Sequence, residues 1–306
     1  MMQIFKNPNF DFVKFRHKAF MFSGLCIAIT IGAFVYNKGF NLAIDFVGGT
    51  LVHVKFEKPV ENDIATIRSV VGNLGYGSAE VKTMGFTGKG NEVQITVKKK
   101  AELGLVGKEI KEVLSKALPN NHFEVLQEEK VGAKVSNELG QKALIAILLS
   151  WIAILIYMAF RFKVSYGVGA IVALIHDVII TTGVFLIHDA EISLNFVAAI
   201  LTVIGYSIND TIVIFDRIRE NNQSAVYSGK SLEERINISV NQTLSRSIIT
   251  VLTVFMVVSV FFFVGGDATR DLSLAMMAGT FFGAYSSIFI ASPILIYWNR
   301  KWPIKK

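Results

Sequence analysis

The chain has 306 residues, of which 52% are hydrophobic and only 18% charged. A soluble domain of this length carries about 25% charged residues, so the deficit, with a mean hydropathy of +0.48, points to lipid. The net charge of +7 could suggest nucleic acid, but the placement of the basic residues argues otherwise, and the single cysteine, Cys26, excludes an intrachain disulfide.

In chain order, residues 1–18 form a basic segment ahead of the first long apolar run, Ala19 to Tyr36. A helix rises 1.5 Å per residue, so about 20 apolar residues cross a ~30 Å hydrocarbon core. Basic residues before an apolar run can mark a signal peptide. Here Ile-Gly-Ala-Phe-Val-Tyr is a poor cleavage site, and the run reads as an uncleaved anchor. Cys26 inside it reads as a small apolar group.

Residues 37–142 read as a folded domain outside the membrane. Thr50 to Phe56 alternates as a strand does. Val60 to Leu74 places Ile64, Ile67, Val70, Val71 and Leu74 at the spacing of an amphipathic helix. Ser78 to Met84 and Asn91 to Lys98 read as strands joined by a turn at residues 86–90, Phe-Thr-Gly-Lys-Gly. A second helix is expected from Glu102 to Leu118, stopped by Pro119, and a fourth strand from His122 to Lys130. The order βαββαβ predicts a small α+β ferredoxin-like domain. His53 and His122 lack a cluster of partners and read as solvent-facing strand residues, not metal ligands.

Five further spans are expected at Ala143 to Phe160, Val164 to Ile187, Ile192 to Phe215, Ser247 to Val264 and Leu272 to Trp298, with a tail at 299–306. The fold class is therefore a polytopic α-helical membrane protein with six transmembrane helices and one external domain. Spans 2–6 occupy 143–298 with a loop at 216–246. Lys and Arg mark the cytoplasmic side of short loops. The N-terminus, the 161–163 loop, the 216–246 segment and the tail hold fifteen, against Arg270 alone on the other side. Both termini should be cytoplasmic and residues 37–142 periplasmic. Basic residues at membrane ends orient a protein or meet anionic lipid, which argues against nucleic acid.

Charged groups in hydrocarbon cost several kcal/mol and face a protein interior or a water path. His176 and Asp177 lie about 20 Å deep in the third span by helix rise. Ser207, Asn209 and Asp210 interrupt the fourth, with Asp210 about 8 Å inside its boundary, and Arg246 opens the fifth. Two readings compete. In one, Asp210 with Arg246, or Asp177 with a hydroxyl, simply fixes helix packing. In the other, Asp210 is a proton relay, since a carboxylate balanced between burial and a nearby guanidinium can load and unload a proton; Asp177 is a second candidate. His176 is expected only to hydrogen-bond. Asp216, Arg217, Arg219 and Glu220 fall where a helix leaves the membrane, as a solvated or headgroup-facing surface.

Ser231-Leu232-Glu233-Glu234 is a capping box. The stripe Leu232, Ile236, Val240, Leu244 then predicts a short helix on the inner membrane surface leading into the fifth span. Gly279 and Gly283 form a small-xxx-small contact face, as Gly167 and Gly169 can. Pro293 should bend the last span, with Ser286, Ser287 and Ser292 satisfying the freed backbone.

Several stretches resemble one family. Asp45-Phe46-Val47-Gly48-Gly49-Thr50 resembles the Asp-Phe-x-Gly-Gly motif of the SecD/SecF translocase subunits. Gly205-Tyr206-Ser207-Ile208-Asn209-Asp210, running to Asp216-Arg217-Ile218-Arg219-Glu220-Asn221, looks like the fourth-span motif of the SecF branch. Asn241 to Arg246 and Tyr285 to Pro293 resemble its fifth-span entry and closing motif. Val131-Gly132-Ala133-Lys134-Val135-Ser136 departs from the usual Val-Gly-Pro-x-Val-Gly, which bears on the rigidity of that joint. The external segment is too small for the SecD branch.

The resemblance implies a subunit that pairs with SecD in a pseudo-symmetric unit of the RND superfamily. That unit would help the Sec channel (SecY, SecE, SecG), with YajC and YidC as further partners, draw unfolded preprotein across the bacterial inner membrane. Protons of the proton-motive force would be the coupling ion, with no other cofactor, no metal and no enzymatic chemistry. By the same resemblance Asp210 is the protonatable carboxylate and Arg246 its cationic partner near SecD, Asp177 lies in a family-like His-Asp motif, and the Asp45 to Gly49 segment joins the first span to the external domain. The alternatives are a small-molecule proton antiporter of RND type and a non-transporting membrane scaffold.

Overall fold

The computed structural model describes residues 8–76, 79–84, 90–98, 103–265 and 267–302. The expected turn at 86–90 lies almost wholly outside these residues, with Gly90 alone described. Six helices are long and apolar enough to cross a membrane. They are α1 (Arg16–Tyr36), α5 (Ala133–Arg161), α6 (Val164–Ile187), α7 (Leu194–Gln223), α8 (Leu232–Val264) and a last span made of α9 (Asp267–Ser286) and α10 (Ser292–Lys301). The first and second are separated by α2 (Ile44–Val47), β1 (Gly49–Phe56), α3 (Ile64–Gly72), β2 (Glu80–Met84), β3 (Glu92–Val97), α4 (Leu103–Ala117) and β4 (Phe123–Val131).

The external strands form one antiparallel sheet in the order β2-β3-β1-β4, the ferredoxin-like arrangement expected from the βαββαβ pattern. Alternate residues Val52, Val54 and Phe56 of β1 turn inward against Ile67 and Val71 of α3 and Ile110 and Leu114 of α4. Full burial of each such side chain contributes about 1.5–3 kcal/mol, which fixes the register because a one-residue slip would expose the whole set. The first helix is shorter than its apolar spacing suggested. Glu57 N–H bonds the His122 carbonyl and Val60 N–H the Gly90 carbonyl, so residues 57–60 serve the sheet end before α3 can begin. His53 is not solvent-facing: it packs 3.3 Å from Glu92 on the neighbouring strand, with most of its side chain covered. His122 is exposed, and no metal-binding group of His, Cys, Asp and Glu occurs among the described residues.

The membrane bundle is layered. Helices α6, α7 and the last span form its buried centre, while α5 and α8 expose most of their apolar surface. A side chain at Gly279 would collide with Val203 of α7, and one at Gly283 would crowd Ser207, so α9 and α7 meet at close range through small residues. Helix α8 runs unbroken from its capping box to Val264. The expected surface helix is thus the first part of this span. Its stripe Ile236, Val240 and Leu244 is buried in the bundle core rather than laid on lipid, and the N-terminal segment is tied to the neighbouring residues of the same stretch. Asn241 donates to and accepts from the backbone of Phe10, and Asn237 donates to the Phe10 carbonyl.

The regular α-helix of the last span is interrupted just ahead of Pro293. The chain widens to a π turn at Ser287–Ala291 before α10, since proline removes a donor and pushes against the preceding turn. Ser287 Oγ donates to the Gly283 carbonyl at 2.9 Å and Ser292 Oγ to the Ser287 carbonyl at 2.9 Å. At the joint before α5, Ser136 is buried and its hydroxyl donates to the Ala133 carbonyl at 3.1 Å, so the helix starts at Ala133 without the proline of the related motif.

Candidate functional site

Two polar centres lie in the apolar bundle. The first is built on α6. Asp177, 1% exposed, accepts hydrogen bonds at Oδ2 from Ser207 Oγ of α7 (2.6 Å) and Ser286 Oγ of α9 (2.8 Å). Its Oδ1 faces His176 Nδ1 at 3.0 Å. His176 Nε2 in turn lies 3.0 Å from Ser23 Oγ of α1, and that hydroxyl 3.1 Å from Tyr285 OH. Tyr285 OH donates to the Ala19 carbonyl at 2.8 Å. With the tyrosine proton committed there, the Ser23 hydroxyl is left to bridge Tyr285 and His176 Nε2. Four spans thus converge on one His-Asp pair. His176 does hydrogen-bond, as expected, but it also carries the pair's connection to α1. Nothing in local spacing singles out Ser23 or Tyr285, because their role depends on which helices pack together.

The second centre lies between α7 and α8. Asp210, 6% exposed, accepts from Ser247 Oγ at 2.6 Å through Oδ1, while its Oδ2 is buried without a hydrogen-bond partner. The expected pairing with Arg246 is not made. Arg246 precedes Ser247 on α8 and is exposed, and no ion pair joins it to Asp210. One residue of rotation on a helix is about 100°, so Ser247 points inward where Arg246 points outward. The interaction between Asp210 and Arg246 is through space. Ser207 and Asp210 stand one turn apart on α7, so one helix face presents both centres. Thr211 Oγ1 and Ser287 Oγ add a contact of 2.8 Å between α7 and the π turn. Gly205 and Asn209 are exposed on α7, and Tyr206 is half-buried with a covered, unpartnered hydroxyl.

The remaining motif residues hold the ends of the spans. Asp216 pairs with Arg161 (3.0 Å) and Arg219 (2.9 Å), and Arg217 with Glu220 (2.9 Å). Asn221 is buried, donating to Ser239 Oγ and Gln242 Oε1 of α8, each at 2.8 Å. At the opposite end, the Asp45 carboxylate accepts from the Leu194 N–H at 2.8 Å. It thereby satisfies a free donor at the start of α7 and complements the helix dipole. Phe46 lies against α5 at Gly140. Gly48 and Gly49 have φ of 77° and 152°. A Cβ on Gly49 would collide with the Val97 carbonyl of β3 and one on Gly48 would crowd the Val131 carbonyl of β4, so the chain can enter the sheet only without side chains there.

A clamp joins the external domain to the loop between α6 and α7. Lys98 Nζ lies 2.6 Å from Asn41 Oδ1, 3.3 Å from Glu80 and 3.7 Å from Glu191, and Lys82 lies 2.7 Å from Glu80. Burial would raise the Glu80 carboxyl, but the hydrogen bond and charge of Lys82 and the charge of Lys98 outweigh it and hold the group at about 2. Burial pushes the Glu191 carboxyl up against the pull of the same two lysines. Beside it, Ala43 N–H bonds the Ile192 carbonyl and Ile192 N–H the Asn41 carbonyl.

Comparison with known proteins gives a consistent picture. Residues 110–301 match the family described as protein export membrane protein SecD/SecF, C-terminal, and residues 33–60 match the SecD/SecF GG motif. A protein translocase subunit SecF of Calditerrivibrio nitroreducens is 41% identical over 298 residues, covering 96% of each chain. Another of Endomicrobium trichonymphae is 37% identical over 302 residues, covering 98% of this chain and 94% of its own. Among solved structures, SecDF of Thermus thermophilus, described as a translocon-associated membrane protein, superposes with a TM-score of 0.83 at 33% identity. That match covers 96% of this chain and 39% of the longer one. SecDF in a super-membrane-facing form superposes at 0.70 with 32% identity, covering 98% and 40%.

Proposed function

Because the chain belongs to the SecD/SecF family of protein export membrane proteins, we propose that it acts as the SecF-type subunit of a Sec export machine and couples proton flow to late translocation of unfolded preprotein. Its likeness to translocase subunits named SecF over nearly their full length carries this reading. A SecD-type chain supplies the missing half, since this chain spans 39% of the SecDF chain it resembles. The partner docks on the outward face of α7 and α8, where Gly205, Asn209 and Arg246 are exposed. The channel subunits SecY, SecE and SecG, and beyond them YajC and YidC, complete the assembly. The protein sits in the bacterial inner membrane with both termini cytoplasmic and the sheet domain periplasmic, works without an organic cofactor or metal, and performs no enzymatic chemistry.

In the mechanism, Asp210 holds the transported proton. Ionised, it accepts from Ser247 and feels the Arg246 charge. Protonated, it loses that electrostatic attraction, and α7 and α8 repack. The motion reaches the external domain through Asp45 at the head of α7 and through the Glu191 clamp. Asp177 is the second proton-holding carboxylate, and its contacts to α1, α7 and α9 distribute the change. The test is Asp210→Asn in membrane vesicles making a proton gradient. Gradient-stimulated export should be lost while membrane insertion and partner binding remain. Export that stays as gradient-sensitive as in the parent protein would refute the motor reading and leave a scaffold.

A further inference from the structure

The line of contacts that leaves Asp177 ends on α1 and can be followed atom by atom. Asp177 Oδ1 faces His176 Nδ1 at 3.0 Å, and His176 Nε2 faces Ser23 Oγ at 3.0 Å. Ser23 Oγ faces Tyr285 OH at 3.1 Å, and Tyr285 OH reaches the Ala19 carbonyl at 2.8 Å. Ala19 and Ser23 are the buried residues of α1, so the line meets that span on its inward face. The Tyr285 ring is held by its neighbours. It stacks on His176 with centroids 5.9 Å apart and meets Phe289 at 5.2 Å and Phe22 at 5.6 Å. The groups that face the pair are hydroxyls: Ser207 of α7 and Ser286 of α9 on Oδ2, and Ser23 of α1 on Nε2. Cys26 stands one turn along α1 from Ser23, and Asp210, one turn along α7 from Ser207, is bonded to Ser247 instead.

Each of the four contacts in this line needs one proton between its two atoms, because an acceptor facing an acceptor repels. A neutral imidazole beside an ionised carboxylate brings one proton, whichever ring nitrogen carries it, and Ser23 and Tyr285 bring one each. The line is then one proton short, and one of its contacts is acceptor to acceptor. Asp177, His176 and Ser23 are 1%, 5% and 4% exposed, so bulk water does not supply the missing donor. One further proton, taken from water by the imidazole–carboxylate pair, completes the line. Nε2–H then donates to Ser23, Ser23 to Tyr285 and Tyr285 to the Ala19 carbonyl, while the remaining proton lies between Nδ1 and Oδ1. All four separations are of hydrogen-bonding length, which is the geometry of the completed line.

We propose that His176, Asp177, Ser23 and Tyr285 form one proton-binding site, in which the His-Asp pair holds the proton and Ser23 and Tyr285 are positioning residues that tie α1 to α6 and α9 when it is loaded. The site deepens the coupling reading, in which Asp177 holds a proton, and rests on it for its part in export. Helix α1 leads through the Asp45 segment into β1, so loading the site changes how firmly the span next to the external domain is held.

The test is an infrared pH titration of the full-length protein in lipid nanodiscs. It follows the bands that vanish in Asp177→Asn or His176→Gln, which report the pair's proton whichever group carries it. Tyr285→Phe keeps the ring but removes two contacts and one proton, so a neutral imidazole and an ionised carboxylate satisfy what is left of the line. The proton affinity of the pair should fall roughly two- to tenfold, the equivalent of one net hydrogen bond. Ser23→Ala should shift it in the same direction. Tyr297→Phe, a hydroxyl lost elsewhere on the last span, should leave the titration in place. Spin labels at Met21→Cys and Phe281→Cys, both exposed, in a Cys26→Ala background, read the tie itself. Their separation should be narrowly distributed where the pair is loaded and broader where it is not, and Tyr285→Phe should abolish that pH dependence. An unshifted titration in both Tyr285→Phe and Ser23→Ala, an equal shift in Tyr297→Phe, or a label separation indifferent to pH would each overturn the assignment. If the shifts occur as expected while Asp210→Asn keeps gradient-sensitive export, the export reading falls and the proton site stands.

Discussion

At the scale of single residues, the interior of the bundle is organised by acceptors. Asp177 receives two hydroxyls and faces an imidazole, so removing its side chain leaves the Ser207 hydroxyl and His176 Nδ1 uncompensated at once, while Ser286 keeps its bond to the Gly283 carbonyl. Asp177→Ala should destabilise the protein by about 3 kcal/mol or more. Asp177→Asn keeps an acceptor oxygen for Ser207 and Ser286 and should cost clearly less. Denaturant midpoints in detergent measure the difference, and equal losses would mean that the hydroxyl contacts contribute little. Asp210 differs in kind, since it has one bonded oxygen and one buried oxygen without a partner. Such a group is held at a cost, which suits a carboxylate whose proton comes and goes better than one that only packs helices. Both acidic residues stand out in the sequence because charge is rare in apolar runs. Ser247, which bonds Asp210, and Ser23 and Tyr285, which continue the chain of contacts from His176, do not, because serine and tyrosine are unremarkable in a span.

At the scale of elements, the joints between the external domain and the bundle decide how motion is passed on. Gly49 enters β1 at φ 152° against the Val97 carbonyl. Gly49→Ala should therefore loosen the β1–β3 pairing and cost about 2 kcal/mol, seen as faster amide exchange in β3; unchanged exchange would show that the strand can shift freely. The Lys82–Glu80–Lys98–Glu191 clamp carries a pH signature. Glu80 is depressed from 4.5 to about 2, so its stabilisation is complete above about 4.5 and is lost as pH falls through the interval down to about 2. Glu191 is shifted the other way by burial, so its protonation, which comes before that of Glu80 as pH falls, relieves a cost. The charge of nearby Asp189 adds to the hold on Lys82. The clamp should thus be at least as tight at pH 5 as at pH 7 and loosen progressively as pH falls from about 4.5 to about 2, measured by carbodiimide cross-linking or domain mobility. Loosening already between pH 7 and 5 would contradict this balance.

At the scale of the whole molecule, the outer helices matter most. Helices α5 and α8 show long rows of exposed apolar side chains, among them Leu148, Ile152 and Ile156 on one and Leu252, Met256 and Val260 on the other. Lipid can cover such rows, but the small, exposed Gly205 beside Asn209 on α7 offers the close approach that a partner helix needs. Gly205→Trp should leave the protein folded and inserted, because the position is exposed and no neighbouring element lies within 4 Å of a Cβ placed there. It should abolish co-purification of a SecD-type chain. Retained partner binding would move the interface elsewhere.

The sequence alone determined the six spans, the βαββαβ order of the external domain and the two deep carboxylates, because hydrophobic period and the rarity of buried charge are local signals. It also pointed to the break in the regular helix ahead of Pro293 and the close helix contact at Gly279 and Gly283, where residue type dictates backbone geometry. Only the tertiary structure decided that Asp210 bonds Ser247 instead of pairing with Arg246, that α8 is continuous with its stripe buried in the bundle core, and that His176 reaches Ser23. Each depends on how helices distant in sequence are rotated against one another. A rotation of one residue exchanges a buried face for an exposed one, and no local pattern encodes it.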